Sequence, residues 1–229
     1  MVAKSTTVAI VIPELKKRII KVPILGMSDL IVDRFTWEKQ QEILDKQTGA
    51  PSQPKKPKDP IADVVNALYF IDDAIDREPI IAKMKKDGVK PRDEISKYFK
   101  KIDIGFPAIG FKKCIVNACR IIGDKKNLPM TLVRNIIHVF GDAGPVVKVS
   151  YKKLWFRQDN VRLQGTTADI RHRPCLEGWS ATLTVQLNLT LLPLEQAYNL
   201  INHAGSGDGV GNWRPEKNGV NGLFELKKK

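Results

Sequence analysis

Polar and apolar positions alternate most regularly in the last third of the chain. In "TLTVQLNL" Leu183, Val185, Leu187 and Leu189 alternate with Thr182, Thr184, Gln186 and Asn188, the period of a half-buried antiparallel strand. "LPLEQAYNLINHAG" follows with helical spacing. Leu194, Ala197, Tyr198 and Ile201 share one face, Pro193 stands near the start, and Glu195 lies in the electropositive first turn. Gly205 is the expected left-handed cap of that helix. "GLFEL" then closes as a strand, so the order is strand, helix, glycine-rich loop, strand.

Earlier elements show the same two periods. "TTVAIVI" and "RIIKVPI" are β-branched and predict an opening hairpin, and "TWEKQQEILDKQ" predicts a helix. In "DPIADVVNALYFIDD" Asp59 is positioned to cap a helix with Pro60 at its first position and Ile61, Val64, Val65 and Leu68 on its apolar stripe. "FPAIGFKKCIVNACRIIGD" carries an apolar stripe of Phe111, Ile115, Ala118, Cys119 and Ile122. Lys112, Lys113, Asn117 and Arg120 lie off it, and Gly123 ends it. "LPMTLVRNIIHVF" predicts a short helix, followed by strands near "PVVKVSY", "LWFRQ" and "VRLQG". No repeat period is present. The reading is one α+β domain over residues 1–229, with a mobile Pro/Lys-rich loop at about 47–59 and a charged, surface-lying helical insertion at about 74–101.

Charge changes the picture more than size does. Lys and Arg number 38 against 25 Asp and Glu in 229 residues, a net charge of +13, which favours a polyanionic partner. The cations cluster at Lys16 to Arg18, Lys55 to Lys58, Lys83 to Lys86, and Lys152 with Lys153. Cys114, Cys119 and Cys175 are odd in number and lack metal-type spacing, so neither a disulfide framework nor a metal site is expected. No stretch reaches the ~18 apolar residues of a membrane span, and the opening residues have no signal-peptide layout. A cytoplasmic protein without a membrane partner or cofactor is expected.

The stretch "HAGSGDGVGNWRPEKNGVNGLFEL" holds Gly205, Gly207, Gly209, Gly211, Gly219 and Gly222. A dinucleotide fingerprint places its glycines after a strand and at a helix N-terminus. Here they follow a helix C-terminus, where the dipole repels phosphate, and no Walker loop is present. What remains is a loop whose backbone N–H groups could follow a sugar-phosphate chain. Trp213 would stack on a base, and Arg214 and Lys217 would pair with phosphate. The other reading packs Trp213 on the sheet and pairs Arg214 with Glu216. Both stand at this point.

Two segments together resemble a family. "GFPAIGFKKCIVNACR" is similar to the turn and Lys-bearing helix, and the glycine stretch to the C-terminal loop, of the repeat-associated mysterious proteins. That RAMP superfamily includes the Cas7-type backbone subunits of CRISPR effector complexes. With "TADIRHRP" and "WSATLTV", the wording resembles phage- and prophage-encoded Cas7-like proteins. The resemblance implies a modified ferredoxin-like, RRM-like antiparallel sheet with helices on one face and a thumb-like insertion. It also implies a groove for single-stranded nucleic acid, RNA or ssDNA, and stacking of copies into a homo-oligomer or filament along the strand. Carried over by position, its binding residues are Lys112, Lys113, Arg120, Gly207, Gly209, Gly211, Trp213, Arg214 and Lys217.

Some relatives cleave RNA, which turns attention to the histidines. His138 in "NIIHVF" reads as a core residue on a helix, and His203 as a helix C-terminal cap. His172 stands between Arg171 and Arg173, a triplet that suits either a basic binding patch or a phosphate held beside an acid/base. Asp29 and Asp33 occupy the region where other RAMP subunits keep a catalytic acid, and they also suit turns and caps. The leading expectation is a non-catalytic single-strand binder. A Cas6-like, metal-independent endoribonuclease centred on His172 is the second, and a structural or interaction protein of a virion or anti-defence system the third.

Overall fold

The computed structural model describes residues 14–49, 57–124, 126–163 and 167–227. The first half of the expected hairpin ("TTVAIVI"), most of the Pro/Lys-rich loop and the last two lysines lie outside these ranges. Strand β1 is Lys17–Gly26, and the short β2 is Leu30–Ile31. Helix α1 (Trp37–Thr48) starts on the Thr36 hydroxyl, and α2 (Pro60–Asn66) on the Asp59 carboxylate, which accepts the Ala62 N–H at 3.2 Å. Next come β3 (Tyr69–Phe70), α3 (Glu78–Lys86), β4 (Ile104–Pro107), α4 (Ala108–Asn117) and α5 (Cys119–Ile122). The second half holds α6 (Met130–Ile136), β5 (Ile137–Phe140), β6 (Val146–Ser150), β7 (Lys153–Leu163), β8 (Thr167–Glu177), β9 (Ser180–Asn188), α7 (Leu194–Gly207) and β10 (Phe224–Leu226).

The main sheet is antiparallel in the order β10-β1-β9-β6-β4-β3, with β5 also pairing β9. Strands β5 and β6 follow one another along the same edge of β9, at Thr184–Leu187 and Ser180–Ala181. Taken as one strand, they leave a β-α-β-β-α-β unit of β1, α4, β5/β6, β9, α7 and β10. Its strand order is 4-1-3-2, the ferredoxin-like arrangement, and the fold is α+β. Strand alternation decides the two faces. Ile20, Val22 and Ile24 of β1 and Ala181, Leu183, Val185 and Leu187 of β9 point into one core with Phe111 and Ile115 of α4 and Ala197, Leu200 and Ile201 of α7. Lys17, Ile19, Lys21 and Leu25 stay exposed on the other face.

A second sheet, β2-β8-β7, takes β7 and β8 from the connection between β6 and β9 and β2 from the stretch after β1. The two strands expected near "LWFRQ" and "VRLQG" merge, up to Leu163, in the single strand β7, paired with β8 from Lys153↔Glu177 to Leu163↔Thr167. Segment 74–101 departs from the surface-lying expectation on one face. Ile81, Met84, Ile95 and Phe99 are buried in the main core, and the N–H groups of Arg92 and Ile95 bond the carbonyls of Phe156 and Leu154 on β7. The dense charge of the segment points outward. The i, i+3 pair Ile81 and Met84 draws the helix inward.

His138 also differs from expectation. Helix α6 ends at Ile136, so His138 lies on β5 and faces outward, its ring 4.6 Å from that of Phe140. Alternation between buried Ile137 and Val139 leaves it no other side.

Candidate nucleic-acid interface

Two walls face each other across a groove of about 370 Å³. One is the β4–α4 junction and the first turns of α4, presenting Phe106, Pro107, Ile109, Gly110, Lys113, Cys114 and Asn117. The other is the loop after α7, presenting Asp208 to Asn212 and Arg214, with Ile31 and Asp33 beside it. On α4, Gly110, Lys113, Cys114 and Asn117 share one face because residues three and four apart stack along a helix. Lys113 is exposed and Lys112 half-buried, and neither amine has a partner among the described residues. Lys112 stands off the groove. Arg120 lies beyond α4 and reaches Glu216 at 3.7 Å.

The glycine-rich wall has a different basis from the one expected. Helix α7 continues through Gly207, so Gly205 is a helical residue and not a cap. A Cβ on Gly205 would lie 2.1 Å from the Phe224 carbonyl, so this glycine lets α7 approach β10. Gly207 sits against Ile121, away from the groove, whereas Gly209 and Gly211 line it. Gly222 has φ +74°, and a Cβ there would lie 1.7 Å from the Val210 carbonyl, a crossing that only glycine permits. Five of the loop's backbone donors are engaged inside the protein. Gly209 bonds Ala204, Val210 bonds Gly222, Asn212 bonds Ile31, Asn221 bonds Trp213 and Gly222 bonds Asp29. These five N–H groups follow no sugar-phosphate chain. They stitch the loop to α7, to β2 and to itself.

The loop's side chains divide. Trp213 is 38% exposed and holds a left-handed φ of +54°, a conformation that costs a non-glycine residue about 1–2 kcal/mol. Its neighbours Asn212 and Arg214 line the groove. Arg214 forks onto Glu216 through Nε at 2.8 Å and through Nη2, while its Nη1 donates to the Gly211 carbonyl at 2.8 Å. Lys217 stands 3.6 Å from the same carboxylate. Burial alone would raise the Glu216 pKa, but the Arg214 hydrogen bonds and charge, with Lys217 and Arg120, hold it below the ordinary value.

Strand β8 separates the "RHR" triplet. Arg171 pairs with Asp169 at 2.8 Å, and Arg173 with Asp33 at 3.1 Å and Asp159 at 3.8 Å. His172 points to the opposite face. Its side chain is only 7% exposed, 3.3 Å from Gln158 Oε1 and 3.6 Å from Asp63. No phosphate held by both arginines would lie beside that imidazole. Asp33 also accepts from Lys39 Nζ at 2.7 Å. Burial would raise its pKa, yet Lys39 and Arg173 hold it low. Asp29 turns to the Cys175 thiol at 3.6 Å, and burial with that carboxylate pushes the thiol up to about 12. The described residues contain no group of three or more His, Cys, Asp or Glu that could hold a metal ion.

Asp208 and Asn117 belong to the site although no sequence pattern marks them for it. Asp208 is 5% exposed at the floor of the groove, where Asn117 Nδ2 donates to its Oδ2 at 3.3 Å. Asp208 is the acid inside "GSGDGVG", and Asn117 stands four residues after Lys113 on one helical face. Only the packing of α4 against α7, marked by the Cys114 thiol donating to the Ala204 carbonyl at 3.3 Å, brings them together.

No family model and no curated protein matches the chain. Among solved structures, a crystal structure of Cmr6 from Pyrococcus furiosus is similar over 93% of this chain and 100% of that one, with 14% identity and a TM-score of 0.32. Superposition at that level assigns neither family nor activity. The ferredoxin-like order rests on the strand pairing itself, and no described helix is long and apolar enough to cross a membrane.

Proposed function

We propose that the protein is a non-catalytic single-stranded nucleic-acid-binding protein of Cas7-like type, which stacks side by side along RNA or ssDNA. The observation that carries this reading is the groove between α4 and the loop after α7. It has walls of mixed polar and apolar lining, with Lys113, unpaired among the described residues, on one side and Trp213 held half-exposed beside the other, in a chain of net charge +13. Lys113, with Lys112 on the adjoining helical face, meets phosphates, the groove takes bases, and Trp213 offers a stacking surface worth about 1–3 kcal/mol per base. Side-by-side assembly follows from the sequence resemblance. The triplet around His172 supplies no cleavage geometry, so an endoribonuclease reading draws no support from it.

The test is purification without nuclease, identification of any co-purifying strand by selective RNase and DNase digestion, and anisotropy titration of labelled single strands against salt. Affinity should fall with a log–log slope of about −0.7 per phosphate contacted. A flat salt response, or no binding to any single strand, would overturn the proposal.

A further inference from the structure

The groove is lined by acids as well as by cations. Its two carboxylates are in unequal states. Asp33 is saturated, accepting from Lys39 at 2.7 Å and Arg173 at 3.1 Å. Asp208 is only 5% exposed, and its one side-chain hydrogen bond among the described residues comes from Asn117 Nδ2 at 3.3 Å. That bond leaves Asp208 Oδ1 and Asn117 Oδ1 without a donor among the described residues. Both residues line a groove of about 370 Å³, where an acceptor can take its donor from a ligand. That volume is at the lower end of small-ligand pockets, which run from about 300 to 1,000 Å³, and suits one base rather than a duplex. Phe106, Ile109 and Val210 give the flat, apolar sides that a base ring needs.

We propose that Asp208 and Asn117 read the edge of one base in the bound strand and select bases that present the cytosine N4 or adenine N6 amino group over uracil, which presents O4 there. The chemistry is complementary: a carboxylate accepts from the cytosine N4 amino group, whereas uracil presents a carbonyl oxygen at the equivalent position and would meet acceptor with acceptor. Asp208 is also placed against its own folding preference. Burial first, and the nearby Glu216 charge next, raise its pKa despite the Asn117 hydrogen bond. A donor supplied by a ligand would favour the ionised carboxylate.

This inference rests on the single-strand reading, and the experiment separates the two. Twelve-residue oligo-C, oligo-A and oligo-U are titrated into the full chain by anisotropy, with thermal melting of each variant alongside. The wild type should bind oligo-C and oligo-A about tenfold or more tighter than oligo-U. Asp208→Asn turns one acceptor into a donor. It should remove the discrimination, by weakening oligo-C and oligo-A and strengthening oligo-U, and melt no lower than wild type. Should Asp208→Asn fail to fold, Asn117→Ser should narrow the discrimination in the same direction. Equal wild-type affinity for all three strands overturns the base-reading role and leaves the single-strand reading standing. A uniform loss for all three strands together with a lower melting temperature makes Asp208 structural and overturns it too. No binding of any strand overturns both.

Discussion

Helix α4 and the loop after α7 face each other across one groove, and both bring cations to it, but in different states. On α4, Lys112 and Lys113 have no acid partner among the described residues. On the loop, Arg214, Lys217 and, from α5, Arg120 converge on the single carboxylate of Glu216. The α4 wall therefore offers charge to a partner, while the loop wall uses charge to hold its own shape. Charge written in a sequence becomes charge available to a ligand only where no neighbouring acid has already taken it. "FKK" has no acid at ion-pair distance among the described residues, and "WRPEK" carries its own.

That contrast can be broken most sharply at the loop's backbone crossing. Gly222→Ala places a methyl group against the Val210 carbonyl and forces a left-handed φ on alanine. A destabilisation of about 2–5 kcal/mol is expected, read as a melting temperature lower by roughly 10 °C. Gly49→Ala, also at positive φ but with open space around its Cβ, should cost only about 1 kcal/mol. Equal effects would mean that the crossing carries no strain.

The next effect lies on the α4 wall. Lys112→Glu with Lys113→Glu should weaken single-strand binding roughly tenfold at moderate salt and reduce the salt slope by about 0.7 for each phosphate the lysines neutralise. Melting should hardly change, since neither side chain has a partner among the described residues. An unchanged slope would move the phosphate path elsewhere.

Glu216→Gln sharpens the comparison from the other side by releasing three cations. Binding should tighten a few-fold and become more salt-dependent, while the loop loses its clamp. The acid limb of the stability profile should follow. Glu216 and Asp33 have folded pKa values held below their ordinary ones. The stability they contribute is present above about pH 4 and is lost as pH falls through their lowered folded values. Melting temperatures from pH 5 to pH 2.5 should fall less steeply in Glu216→Gln than in wild type. The smallest effect is expected for Arg171→Ala. Its guanidinium is paired with Asp169 on its own strand, so affinity should change by less than about twofold.

Elements with strong local patterns are legible in the sequence itself. The Asp59 cap with Pro60, the alternation in β9, the face of α7 and the Gly123 stop of α5 all follow from interactions within a few residues. Positions where a tertiary contact overrides the local pattern are not legible. Gly205 resembles a helix cap because glycine commonly ends helices, yet it continues the helix since β10 comes too close for a side chain. His138 lies within a helical run that β9 captures as a strand. Segment 74–101 has the composition of a solvated surface, although Ile81, Met84, Ile95 and Phe99 are enough to bury one side.

The candidate site divides in the same way. Local spacing on α4 is enough to put Lys113 and Asn117 on one helical face, and the place of the glycine stretch after a helix distinguishes it from a phosphate loop. Composition alone establishes a cationic protein. Which cations remain available among the described residues, and that Asp208 meets Asn117 across 91 residues of sequence, are decided only by the tertiary structure. Pairing of charges and burial of acceptors depend on distances of a few ångströms between segments remote in the chain, and no local period encodes those distances.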